Sequence, residues 1–146
     1  MKQTLRALVV EDSEDDAYFF MRTMQRSGST CQIHRAANGV AAMSFLREAV
    51  SGGSHQLPHI IFLDLKMPIV NGFEVLAWMR DQPALSQVPV VVLSGSERQE
   101  DKERAAEYGV MDYLVKPLRV ADLNRLLAEI CPATGSSLPE KVGAPS

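Results

Sequence analysis

The sequence predicts an α/β domain built on one five-stranded parallel sheet with helices on both faces. Short β-rich apolar runs alternate strictly with longer amphipathic ones, five of each, over the 146 residues. The first, third and fourth short runs are apolar at successive positions, not at every second one, which suits strands buried on both sides. Glycine, proline and serine punctuate the joins between runs.

The first strand is "RALVV" (6–10), and "DAYFFMRTMQRSG" (16–28) follows with helical spacing and Gly28 as a stop signal. "CQIHRA" (31–36) reads as the second strand and "GVAAMSFLREAV" (39–50) as the second helix. The breaker stretch "SGGSHQLP" (51–58) leads into the third strand, "HIIFL" (59–63). Then come a helix, "GFEVLAWMRDQ" (72–82), and a β-branched strand, "VPVVVLS" (88–94). A polar helix, "ERQEDKERAAEYG" (97–109), a short strand, "MDYLV" (111–115), and a last helix, "VADLNRLLAEIC" (120–131), complete the set. The closing "PATGSSLPEKVGAPS" holds Pro, Gly and Ser with almost no large apolar residue. The expected organisation is therefore one domain over 1–131 and a disordered tail over 132–146.

Composition narrows the function. A hydrophobic share of 46% with 23% charged residues is that of a globular domain. A net charge of −3 offers no basic surface for a phosphate backbone, so nucleic acid is not an expected partner. Two cysteines, Cys31 and Cys131, are too few for a disulfide framework or a zinc site and read as buried or inert thiols. "MKQTLRALVVED" reaches acidic residues too early for a signal-peptide core, and no apolar run approaches membrane-spanning length. A soluble, cytoplasmic protein without a membrane partner is expected.

The polar residues fall where ligands bind in open parallel sheets, beyond the carboxyl ends of the strands. "IIFLDLKMP" (60–68) shows the pattern: a buried apolar run ending on Asp64. The first strand ends in Glu11 and Asp12, the fourth in Ser94 and the fifth in Lys116. Parallel pairing brings all of these to one edge. Three carboxylates crowded there repel one another unless a cation joins them, and an oxygen-only set points to Mg²⁺. A flavin or nucleotide phosphate is disfavoured, because "EDSEDD" puts five negative charges in six residues where a phosphate cradle would need glycines. An aspartate beside Mg²⁺, a lysine and a hydroxyl can attack phosphorus and form an acyl phosphate.

The segments "VVEDSEDD", "FLDLKMPIVNGFEVL", "VVVLSGS" and "GVMDYLVKPL", taken together and in this order, resemble the receiver domain of bacterial two-component response regulators. The likeness runs from about Leu5 to Ile130. It implies the flavodoxin-like strand order 2-1-3-4-5 and phosphorylation of Asp64 by a sensor histidine kinase. It makes Asp12 a direct metal ligand, Glu11 a ligand through water, and the Lys66 backbone carbonyl a third protein ligand. Lys116 becomes the phosphate-contacting lysine, followed by Pro117 through a bond that is cis in most of the family. Ser94 and Tyr113 stand at the switch positions, whose movement alters the α4-β5-α5 face for partner binding or homodimer formation. With no output domain expected after these segments, the reading is a stand-alone regulator, and the resemblance implies a phosphoacceptor, not a multiple-turnover enzyme. The long connection "AVSGGSHQLPH" resembles the small regulators that serve bacterial phytochromes and similar hybrid sensors. Lys66 departs from the smaller or amide side chains that many members of the receiver family have at that position, and it can reach toward a phosphoryl group. It also argues against a haloacid-dehalogenase-type phosphatase, which needs a second Asp at that position.

Other polar residues have plainer readings. Asp15 and Asp16 suit the positive end of the first helix, Ser13 its N-cap, and Asn71-Gly72 a turn. His34, His55 and His59 share no expected site.

Overall fold

The sheet edges are set by two strands, β2 (Cys31–Ala36) and β5 (Asp112–Val115), which flank β1 (Leu5–Val10), β3 (Ile60–Asp64) and β4 (Val90–Ser94). All four pairings are parallel and the order is β2-β1-β3-β4-β5, as expected. The helices are α1 (Glu14–Arg26), α2 (Gly39–Val50), α3 (Gly72–Arg80), α4 (Gln99–Glu107) and α5 (Val120–Ile130). A 3₁₀ turn over Pro83–Leu85, absent from the sequence expectation, precedes β4 and buries Leu85. This computed structural model describes residues 5–53 and 56–130, so the expected tail over 132–146, Cys131 and His55 lie outside the described residues.

The β3 and β4 strands are buried at every position and β1 at all but Arg6, because side chains from both of their faces meet helices. On one face Leu8, Val10, Ile61, Leu63 and Val92 pack against Ala42 and Leu46 of α2, Phe73 and Leu76 of α3, and Ala105 of α4. On the other, Ala7, Val9, Ile60, Phe62 and Val91 pack against Phe20 and Met24 of α1 and Leu123 and Leu126 of α5. Period-2 alternation within each strand thus feeds two separate cores. The α4 helix buries only Ala105, so little apolar burial holds it in place.

Helix starts are locally encoded. Ser13 caps α1, its Oγ accepting from the Asp16 N–H at 3.2 Å. The expectation of a plain turn at Asn71-Gly72 is corrected. Asn71 is the N-cap of α3, accepting from Glu74 N–H at 3.0 Å while Glu74 Oε1 accepts from Asn71 N–H at 2.9 Å. Gly72 is the first helical residue, and its N–H donates to the Leu65 carbonyl at 3.0 Å. A Cβ there would stand 2.5 Å from the Asp64 carbonyl oxygen and 2.7 Å from Leu65 Cα, so only glycine lets α3 start against the end of β3.

Gly72→Ala should therefore lower the unfolding free energy by about 1–3 kcal/mol, the usual cost of overpacking against backbone. Gly95→Ala, whose Cβ would meet nothing within 4 Å, is the control and should change it little. Urea denaturation of both variants checks this; equal stability would contradict the close approach.

Candidate functional site

Register carries four segments to one place. Val10 pairs with Leu63, Asp64 with Leu93, and Ser94 with Val115, so the residues following each pair emerge together at the carboxyl edge. There Glu11, Asp12 and Asp64 each offer an oxygen, all within 4.8 Å of one another. Glu11 and Asp64 are buried, at 5% and 6% exposure, while Asp12 is exposed. Such an all-oxygen trio with one open side fits a hard divalent cation.

Backbone contacts pin Glu11 and Asp64. The Glu11 N–H donates to the Ala36 carbonyl, and the Glu11 carbonyl accepts two bonds from the Arg35 guanidinium at 3.0 and 2.9 Å. Glu11 Oε2 accepts from the Ser13 N–H at 3.1 Å, tying the acidic turn to the α1 cap. Asp64 Oδ1 accepts from the Lys66 N–H at 3.3 Å, which holds the Lys66 backbone against the cluster while its side chain is exposed.

Lys116 reaches back over this edge. Its ammonium donates to Glu11 Oε1 and Asp16 Oδ2, both at 2.7 Å, and stands 3.8 Å from Asp64 Oδ2. The Lys116-Pro117 bond is cis, as the family likeness implies. The Lys116 N–H donates to the Ser94 carbonyl at 2.8 Å, locking the β4 and β5 ends together. Sequence reasoning assigned Asp16 only to the helix dipole and missed its bond to Lys116.

Ser94 is fully buried one step beyond the Asp64 pairing, with its Oγ accepting from the Ser96 N–H at 3.0 Å. Ser96 is a hub that the sequence reading did not single out. Its carbonyl accepts from the Tyr113 hydroxyl at 2.9 Å, and its Oγ donates to Asp101 Oδ2 at 2.7 Å and accepts from the Arg98 N–H at 3.2 Å. Tyr113, half-buried, is thus tied to Ser94 through one loop residue, and the start of α4 is tied to both. Further along, Arg104 lies 4.0 Å over the Phe73 ring, joining α4 to α3. The described histidines stay out of this region. His59 Nδ1 accepts from the Arg6 N–H at 2.8 Å, and His34 stacks on Phe45. Cys31 is half-buried, its Sγ 3.8 Å from the Gln32 carbonyl oxygen.

The electrostatics match the crowding. Burial, then the neighbouring Glu11 charge, pushes the Asp64 carboxyl up to about 7, with Lys116 and the Lys66 N–H opposing. Burial works against the Lys116 ammonium too, but its bonds to Asp16 and Glu11 outweigh this and hold its pKa above the ordinary lysine value. A carboxyl raised in the fold binds more protons folded than unfolded, so folding stability should fall as pH rises from about 4 through about 7. Asp64→Asn should flatten that slope and, in chelator at pH 8, gain on the order of 1–3 kcal/mol over the unaltered protein. Denaturant titrations across pH check this; parallel curves for the two proteins would refute it.

Comparison with known proteins agrees with the geometry. The family described as "Response regulator receiver domain" matches residues 7–128. The probable methanogenesis regulatory protein FilR2 of Methanothrix harundinacea is 41% identical over 123 residues, covering 84% of this chain and 79% of that protein. Response regulator Rcp1 of Synechocystis is 33% identical over 123 residues, with 84% of each chain covered. Its Mn²⁺-bound structure superposes with a TM-score of 0.69 at 29% identity, over 94% of this chain and 99% of that one. The phosphorylated cyanobacterial phytochrome response regulator RcpA gives a TM-score of 0.73 at 27% identity, over 94% and 98%. Among the described residues no helix is long and apolar enough to cross a membrane. With the parallel sheet in order 2-1-3-4-5 and the acidic cluster at its carboxyl edge, the chain belongs to the response regulator receiver domain family of two-component signalling.

Proposed function

We propose that this chain is a phosphoacceptor switch in which Asp64 takes a phosphoryl group from a sensor histidine kinase. The observation that carries the reading is the convergence of Glu11, Asp12, Asp64 and Lys116 at one sheet edge. Asp12 and Asp64, the Lys66 backbone carbonyl, and Glu11 through water would hold Mg²⁺. When bound, the ion supplies positive charge that keeps the Asp64 carboxylate ionised and neutralises phosphoryl oxygens. One Asp64 oxygen forms the bond to phosphorus as the donor's bond to phosphorus breaks, and the leaving atom keeps the electron pair. Lys116 neutralises one phosphoryl oxygen as a point charge, and Ser94 donates its hydroxyl to another. The protein is consumed by the transfer and regenerated when water hydrolyses the acyl phosphate to the Asp64 carboxylate and inorganic phosphate, so it acts as a switch and not as a turnover enzyme.

Transfer to Asp64 would draw Ser94 away from the Ser96 N–H. The Tyr113–Ser96 bond would then be disturbed, and α4, with Ala105 as its one buried residue, would shift at low cost. The α4-β5-α5 face would thereby change for a downstream protein or a second copy of the chain. The likeness to the phytochrome response regulator RcpA supports a bacteriophytochrome or other hybrid sensor as the donor, and a cytoplasmic setting is part of the same reading.

Incubation with Mg²⁺ and acetyl phosphate should add one phosphoryl mass, and Asp64→Asn should add none. No mass gain in the unaltered protein, or an equal gain in Asp64→Asn, would overturn the proposal. Sedimentation of both forms at high concentration tests the second copy: a heavier phosphorylated species is expected, and identical profiles would remove the dimer.

A further inference from the structure

Strand pairing fixes where the Lys116 backbone leaves β5, but not where its flexible stem puts the ammonium. Two carboxylates do that. Glu11 Oε1 approaches from the end of β1 and Asp16 Oδ2 from the first turn of α1, both at 2.7 Å. An ammonium has three N–H donors. With two committed, one is left on a nitrogen 3.8 Å from Asp64 Oδ2, a separation too long for a good hydrogen bond but suited to meet an oxygen added to Asp64. The α1 dipole does not explain the choice of Asp16, because Glu14 and Asp15 occupy the same acidic first turn. Of the three, Asp16 is the residue paired with Lys116. Nor is Asp16 one of the three carboxylates grouped closely enough to hold a cation.

We propose that Asp16 is a positioning residue for phosphoryl transfer that acts through Lys116, holding the ammonium ready at Asp64. The proposal rests on the reading of Asp64 as phosphoacceptor. Preset charge stabilises a transition state more than charge that must first be gathered, because no side-chain ordering accompanies the reaction. Glu11 alone would leave Nζ free to swing about one bond. Asp16, half-exposed at 47%, is screened by solvent, so the effect is moderate.

The test compares initial rates with acetyl phosphate at saturating Mg²⁺ for the unaltered protein, Asp16→Ala, Asp16→Asn, Lys116→Ala and the Asp16→Ala/Lys116→Ala pair. Asp16→Ala should be slower by about threefold to fivefold. Asp16→Asn, which keeps an acceptor oxygen, should fall between. In the Lys116→Ala background the Asp16 change should cost nothing more. An Asp16→Ala rate equal to the unaltered one, or an equal loss in both backgrounds, would overturn the proposal. NMR of the Lys116 ε-methylene decides independently of rate: Asp16→Ala should average its two proton shifts, and an unchanged pair would reject positioning. Failure of the unaltered protein to accept phosphoryl would instead strike the phosphoacceptor reading itself.

Discussion

Like charges at close range govern the carboxyl edge of this sheet. Glu11, Asp12 and Asp64 bring oxygens within 4.8 Å of one another, two of the three carboxylates buried. In low dielectric such a set is costly when ionised. The fold tolerates it through directed contacts: Lys116 against Glu11, the Arg35 guanidinium on the Glu11 carbonyl, and the Ser13 and Lys66 N–H groups on carboxylate oxygens. These offset only part of the cost of burial and repulsion, because Asp64 still holds its proton up to about 7. The remaining deficit is what a divalent cation at this edge would relieve.

The same edge is mechanically linked to the outer surface. Ser94 stands in the core beside the Asp64 strand, and Ser96 connects it to Tyr113, Asp101 and the start of α4. Polar bonds of this kind can be exchanged singly, whereas the interdigitated apolar core of β1, β3 and β4 cannot be rearranged without loss. A rigid centre with an exchangeable rim is therefore built into one small domain. At that rim the core grips α4 at Ala105, its one buried residue.

Much of this was legible from residues alone. Apolar runs marked the strands because buried parallel strands need them, and the residues that end those runs marked the edge. Helix boundaries were less accurate: α1 begins at Glu14, two residues before the expected start, because Ser13 caps it. Asn71 was taken for a turn because capping and turn formation use the same side chain; the reciprocal bond with Glu74 separates them. Gly72 gave no sign of its close approach to Asp64, since proximity across a loop has no period in the sequence. The Ser96 hub and the Asp16–Lys116 pair depend on side chains far apart in the chain, at 96 and 113 and at 16 and 116. No spacing rule finds such pairs; only the folded register does.

Burial, then repulsion from Glu11, holds the Asp64 proton up to about 7, and a cation at the trio would displace it. Carboxyl-carbon NMR of Asp64 through a pH titration measures this directly. Without metal its midpoint should lie near 7, and saturating Mg²⁺ should move it well below that value. A midpoint near 4 in the absence of metal, unmoved by Mg²⁺, would contradict the account.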